Sequence, residues 1–301
     1  MAKLSAAEIA KKVQGLYGSK DKTRDIISTG NVVRREYTDR DGILLAEGHP
    51  LRHLMGLPVL PYNKIVQIVG KPDTGKSTWS AEIMTCAQTH GALPILFDSE
   101  DKFDAARFAS MGGNPDEILL AKTNEILKGG ELVRRYITTI KEADSNAKIL
   151  FVWDSVGGSQ SRSHAERELD NEKHAQPGQD AKENGSIMKM LVALINKYPD
   201  SIAVLLINQS YAKIGFMQKG EAAAGGSKIE YHSSFIVTLK RIKVLTKVVK
   251  GVVTKVGIIS RATVSKNHLS QGKTSVHQLD FQVSSEGSAL VDAVEADETE
   301  E

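Results

Sequence analysis

Four short apolar runs are spaced along the middle of the chain, each ending in glycine or polar residues: Ile65–Val69, Leu93–Phe97, Lys148–Trp153 and Ile202–Ile207. Runs this short and this unbroken predict strands buried on both faces. Stretches of helical character lie between them. Thr78–Thr89 contains neither glycine nor proline, Ala105–Met111 is closed by Gly112-Gly113, Glu131–Ala143 is helical, and Ile187–Tyr198 is amphipathic. Strand and helix in alternation predict an α/β fold, a mainly parallel central sheet with helices on both faces. The pattern then changes. Phe235–Arg241, Lys243–Val249, Val252–Ser260 and Ser275–Val283 are β-rich, with a hairpin turn at Val249-Lys250-Gly251. Val237 and Leu239 against Lys240 and Arg241 imply one solvated face, so antiparallel strands are expected toward the C-terminus.

Other stretches lack a core-building pattern. Leu4–Leu16 is a short amphipathic helix ended by Gly15 and Gly18, and Ser19–Asp25 reads as a linker. Arg34–Asp41 is charged and expected to be exposed. Gly157–Gly185 is polar, with helical character only over Ala165–Lys173, and Ser210–Ser227 is rich in glycine and alanine. Loops this long inside a domain are usually functional or disordered, and both are expected to be mobile. The tail Glu295–Glu301 is acidic and expected to be disordered.

The 301 residues allow one large domain or two small ones. An apolar fraction of 41% and a charged fraction of 25% are ordinary for a soluble protein. The formal charge of +2 neither announces nor excludes a nucleic-acid partner, because net charge is silent about patches. Cys86 is the only cysteine, so no disulfide can form within the chain, which fits a reducing compartment. No run is long and apolar enough to span a membrane, and the N-terminus lacks the apolar core of a signal peptide. The expected location is the cytoplasm.

Chemistry enters at Gly70-Lys71-Pro72-Asp73-Thr74-Gly75-Lys76-Ser77, which reads G-x-x-x-x-G-K-S between a strand and a helix. That is the context a phosphate-binding P-loop requires. The glycines let backbone N–H groups approach phosphate oxygens at a helix N-terminus. Lys76 would reach the β- and γ-phosphates of ATP, Ser77 would hold Mg²⁺, and Thr78 joins the nucleotide-binding set. Acidic residues follow the next two strands: Asp98-Ser99-Glu100-Asp101 and Asp154-Ser155. Open α/β sheets bind ligands at such strand ends. An apolar strand ending in aspartate is the Walker B pattern, and Asp154 would bind the metal through water or Ser77.

Together with Ile27-Ser28-Thr29-Gly30, Ile207-Asn208-Gln209, Lys213-Ile214-Gly215, Gly225-Gly226 and Val264-Ser265-Lys266-Asn267, these motifs resemble the RecA family of DNA recombinases. The likeness is to bacterial and phage members more than to the eukaryotic and archaeal branch, and runs from about Ile26 to Leu290. It implies a P-loop NTPase core at residues 25–290, an N-terminal oligomerisation helix and linker at 1–24, and a tail at 291–301. It also implies an ATP-dependent recombinase that forms helical filaments on single-stranded DNA and pairs it with duplex DNA. Glu100 then matches the carboxylate that polarises the attacking water, although a helix N-cap or a salt-bridge partner would also suit that residue. Gln209 matches the sensor that links the γ-phosphate to DNA binding. Asp104 and Arg107 fall in the nucleotide-binding set. Lys266 and His268 would reach the neighbouring subunit's ATP. The two polar stretches, about 157–185 and 210–227, match the DNA-binding loops. Arg162 and Arg167 are the candidates in the first, and Lys213, Ile214, Phe216, Met217, Gly225, Gly226 and Ser227 in the second.

Three features depart from the family pattern. His268 stands where a second lysine is usual and would stabilise developing charge less than an ammonium. Arg107 stands where an aromatic ring usually meets adenine, though a guanidinium can stack on a base. The chain stops soon after the core, so the extra C-terminal domain of bacterial members is expected to be absent. A hexameric DNA motor on the same core, or a weakly hydrolysing recombination accessory protein, are the alternatives.

Overall fold

Pro50 opens the first described helix, α1 (Pro50–Met55), at a position where no backbone N–H is needed. His49 Nδ1 accepts the N–H of Leu51 and caps it. The computed structural model describes residues 37–164, 178–212, 221–269 and 276–291. The chain divides into two units, residues 1–37 and 38–301. The expected N-terminal helix and linker, the Ala165–Lys173 helix and the acidic tail lie outside the described residues.

Helix α1 lies between β1 (Gly42–Leu44) and β2 (Val59–Pro61), an antiparallel pair. Then come β3 (Ile65–Gly70), α2 (Lys76–Thr89), β4 (Ala92–Asp98), α3 (Ala105–Ser110), β5 (Leu119–Lys122), α4 (Ile126–Ala143) and β6 (Lys148–Asp154). After them run α5 (Gln179–Lys197), β7 (Ile202–Ala212), β8 (Glu221–Ala223) and α6 (Ser227–His232). The last elements are β9 (Phe235–Val249), β10 (Val252–Asn267), β11 (Gln278–Ser284) and β12 (Gly287–Leu290).

The main sheet has the order β12-β11-β10-β9-β3-β7-β6-β4-β5, with β8 added to the end of β7. Strands β9, β3, β7, β6, β4 and β5 are parallel, and β10, β11 and β12 continue it antiparallel. Alternate residues of the parallel strands enter two cores. Val66, Ile68, Leu96, Val152 and Leu205 pack with Trp79 and Ile83 of α2 on one face. Ile95, Phe97, Phe151, Trp153 and Leu206 pack with Val133 and Ile137 of α4 and Met188 and Leu191 of α5 on the other. Helices on both sides explain why these strands read as unbroken apolar runs. The α/β fold expected from the sequence is the fold found.

Four boundaries differ from expectation, each for a tertiary reason. Helix α4 starts at Ile126, not Glu131, and carries Gly129-Gly130 inside it. A Cβ on Gly129 would stand 2.1 Å from the Phe97 ring, and one on Gly130 2.0 Å from Ile187 Cδ1. Phe97 is fully buried and stacked on Trp153 at 5.2 Å, so it cannot yield. Gly129→Ala is therefore expected to destabilise the fold by about 1–2 kcal/mol, overpacking outweighing the ~1 kcal/mol gain in helix propensity. A denaturant midpoint equal to that of the parent chain would show that no such close approach exists.

Helix α5 begins at Gln179, not Ile187, so the expected first loop ends by Gly178. Its polar first turns are held by side-chain bonds. Asp180 accepts the Ser161 N–H at 2.8 Å, Gln179 donates to Glu183 at 2.9 Å, and Asn184 donates to the Gly225 carbonyl at 3.3 Å. The second expected loop is in part a hairpin, because Ser210–Ala212 pair with Glu221–Ala223, and Ser227 already belongs to α6. The expected strands Phe235–Arg241 and Lys243–Val249 are one strand, with Ile242 as the unpaired residue of a bulge. Lys250 and Gly251 have φ of 50° and 78°, as the predicted tight turn requires.

Candidate functional site

Sheet register brings the strand ends together. Gly70 of β3 lies beside Gln209 of β7, and Asp98 of β4 beside Asp154 of β6. These carboxyl ends open into a cavity of about 490 Å³. Pro72, Asp73, Lys76, Ser77, Glu100, Asp104, Arg107, Asp154 and Gln209 all line it. Residues scattered over more than a hundred positions thus share one site, of a volume usual for small-molecule pockets.

The P-loop wraps the N-terminus of α2. Gly75 sits at φ 97°, and a Cβ there would stand 2.8 Å from Val283 Cγ2. Lys76 Nζ donates to the carbonyls of Gly70 (2.8 Å) and Lys71 (2.7 Å), and Thr74 Oγ1 donates to Lys71 O at 2.9 Å. Burial pushes the Lys76 ammonium below its usual pKa, against the pull of Asp154 and Glu100. Asp73 is tied to Arg241 and to Lys255 (2.7 Å), and the Lys255 hydrogen bond holds its carboxyl below the usual range. Thr78 Oγ1 accepts from Arg107 Nη2 at 2.9 Å, and Asp104 caps α3 through the Arg107 N–H. Arg107 is therefore anchored at the cavity edge by α2.

Glu100 is the centre of a hydrogen-bond network. Its Oε1 accepts from the Ser155 hydroxyl and, at 2.8 Å, from Gln209 Nε2, while Oε2 meets the Lys102 ammonium. Burial works to raise its pKa, but Lys102, Ser155 and Gln209 outweigh it and hold the carboxyl below the usual value. Glu100 does not serve as a helix N-cap, because α3 is capped by Asp104. Ser99 braces the turn from below. Its hydroxyl donates to Ser155 O at 2.7 Å and accepts the Ser155 N–H at 3.0 Å. Asp154 is pushed up to about 6, first by burial and then by the charges of Glu100 and Asp98.

Gln209 connects this centre to the β7–β8 hairpin. Tyr211 at the hairpin root donates its hydroxyl to Gln209 Oε1 at 2.9 Å. Asn208 is fully buried, and its Nδ2 donates to Ala224 O at 2.8 Å, pinning the returning strand. A shift of the Gln209 amide is thus a shift at the base of the hairpin.

The residues fit magnesium and a nucleotide. The Ser77 hydroxyl and Asp154 carboxylate are hard oxygen donors lining the same cavity, and the burial and neighbouring carboxylates that raise Asp154 suit a cation there. Among the described residues no three His, Cys, Asp or Glu cluster as a closed metal cage. That suits an ion completed by phosphate and water.

Other expected residues lie apart from the cavity. Lys266 Nζ donates to the carbonyls of Glu230 (2.9 Å) and Tyr231 (3.1 Å), and the His268 N–H to Ser234 O. Neither lines the cavity of its own chain. Arg162 is exposed in the segment after β6, Gly225 and Gly226 lie between β8 and α6, and Ser227 opens α6. Arg167, Lys213, Ile214, Phe216 and Met217 lie outside the described residues. Sequence reasoning missed Lys102, Ser155 as a Glu100 partner, and Tyr211. Only Ser155 carried a signal, its place directly after Asp154.

Among the described residues no helix is long and apolar enough to cross a membrane. The family model for the RecA N-terminal domain matches residues 43–285. Similar curated proteins include Protein RecA of Streptococcus agalactiae, 32% identical over 181 residues, covering 60% of this chain and 45% of that one. Protein RecA of Nautilia profundicola is 28% identical over 206 residues, covering 68% and 56%. That of Chloroflexus aurantiacus is 27% identical over 192 residues, covering 64% and 52%. The chain spans about half the length of these relatives. With a P-loop core, acidic strand ends and a match over most of its length, the chain belongs to the RecA family.

Proposed function

We propose that this chain is an ATP-dependent DNA recombinase that assembles as a cytoplasmic helical filament on single-stranded DNA and pairs it with homologous duplex. The observation that carries this reading is the continuous link from Glu100 through Gln209 to the root of the β7–β8 hairpin. It would let the state of the nucleotide set the state of a DNA-binding loop. In this reading Glu100 orients and deprotonates the attacking water, and Lys76 steadies the β- and γ-phosphates. Ser77 and Asp154 would hold magnesium, which supplies charge neutralisation on the phosphates when bound. Lys266 and His268 act on the neighbouring subunit's site. Gly225, Gly226 and Ser227 offer backbone N–H groups to DNA phosphates, within the two proposed DNA-binding loops at about 157–185 and 210–227. Residues 1–24 join one subunit to the next, 25–290 form the ATPase core, and 291–301 are an acidic tail.

A strand-exchange assay with homologous and heterologous duplex tests this reading. The expected result is exchange only with homologous duplex, dependent on ATP and abolished by Lys76→Ala. Closed rings that unwind duplex without exchange would point to a motor, and DNA binding indifferent to nucleotide would overturn the coupling.

A further inference from the structure

Lys102 lines the same cavity as Lys76 and Glu100, yet neither the P-loop nor the strand-end pattern gives it a role. Its backbone is fixed. The Lys102 N–H donates to Asp98 Oδ1 at 3.1 Å and the Phe103 N–H to Asp98 Oδ2 at 2.9 Å. Asp101, just before it, takes a left-handed φ of 51°, and Phe103 packs on Phe108 at 5.6 Å. This tight turn sends Glu100 inward and leaves Lys102 at the mouth. The Lys102 side chain is 75% exposed, and its ammonium meets Glu100 Oε2.

Glu100 therefore has both carboxylate oxygens engaged. Ser155 and Gln209 hold Oε1 from the β6 turn and from β7. Lys102 holds Oε2 through a long exposed side chain that can swing. An ammonium on Oε2 occupies one of its lone pairs and lowers its basicity, so the carboxylate takes a proton from water less readily. Lys102 and Lys76 also act on the same space, since the charge of Lys102 helps to depress the Lys76 ammonium. Two cations converging on one cavity leave a place for an anion between them.

We propose that Lys102 is a catalytic residue: its ammonium passes from Glu100 Oε2 to the terminal phosphate of the bound nucleotide, adding positive charge there and opening Oε2 to the attacking water. The step balances. The water oxygen bonds to the γ-phosphorus, and the bond to the bridging oxygen breaks with its electron pair on ADP. The water proton goes to Glu100 Oε2. The inference rests on the ATPase reading given above. It adds that the base is released by the substrate it acts on, so Lys102 discourages Glu100 from activating water before a triphosphate arrives.

Steady-state ATPase measurements on Lys102→Ala and Lys102→Arg, with single-stranded DNA, test it beside Glu100→Gln. Lys102→Ala is expected to lower kcat about 10- to 100-fold, below or at the loss from removing one preorganised donor, with KM nearly unchanged. Lys102→Arg should recover most of that loss. The acid limb of kcat/KM should move to higher pH in Lys102→Ala, because Glu100 loses the ammonium that holds its carboxyl down. Lys76 and Asp154 still face Glu100 in that variant. Full kcat in Lys102→Ala, a faster rate, or a rise in KM alone would overturn the inference. If the parent chain shows no Glu100-dependent turnover, both readings fall. If it does and Lys102→Ala matches it, the Lys102 inference alone is wrong.

Discussion

Glu100→Gln is expected to keep MgATP binding and to lose hydrolysis by about 10²- to 10⁴-fold, the range a positioned general base supplies. The substitution preserves shape. The new amide oxygen can still accept the Ser155 hydroxyl that Oε1 accepts now. What disappears is the charge and the capacity to take a proton. Gln209 keeps its backbone place in β7, so the hairpin root should survive. The variant should therefore accumulate in the ATP-bound, DNA-gripping state. Single-turnover hydrolysis and DNA binding with a fluorescent oligonucleotide check this: slow turnover with retained, ATP-dependent DNA binding is the expected pair. The pH behaviour follows from the depressed carboxyl. Glu100 stabilises the fold when ionised, so its contribution is present above the ordinary glutamate pKa and is lost as pH falls through the lower folded value. Glu100→Gln should flatten that acid dependence.

Asp154→Asn should move stability and activity in opposite directions. The Asp154 carboxyl is raised from 3.8 to about 6. Across that window the folded chain keeps a proton that the unfolded chain has released, so stability falls as pH rises from about 4 to about 6. Above it the ionised group costs at most about 3 kcal/mol. The asparagine variant escapes that cost. Its nucleotide-free melting temperature at neutral pH should rise by several degrees, at about 2–4 °C per kcal/mol for a domain near this size. Hydrolysis in magnesium should fall about 100-fold or more, the scale of several kcal/mol lost at the transferring phosphate. Thermal melts with and without MgATP check both halves. A variant that is less stable when empty, or that keeps full magnesium-dependent turnover, would show that Asp154 is a structural acid. A site that stores such a penalty when empty follows the general trade between stability and function.

Much of this protein was set by local pattern. The spacing of Gly70, Gly75, Lys76 and Ser77 between an apolar strand and a helix needs no distant residue to be read, and Asp98, Asp154 and Gln209 are marked by the apolar runs before them. Other features were beyond local reading. Gly129-Gly130 looks like a break, yet it is helical because the Phe97 ring lies where a side chain would go. Gln179–Gly185 looks like loop, yet it is helix because Ser161 and Gly225 satisfy its polar groups. The bond from Gln209 to Glu100 spans 109 residues, and Lys102 meets Glu100 only because Asp98 folds the strand end back on itself. Periodicity fixes which face of an element is apolar. Sheet register and packing decide which distant side chains meet, and that is how Glu100, Gln209 and the hairpin root come to be linked.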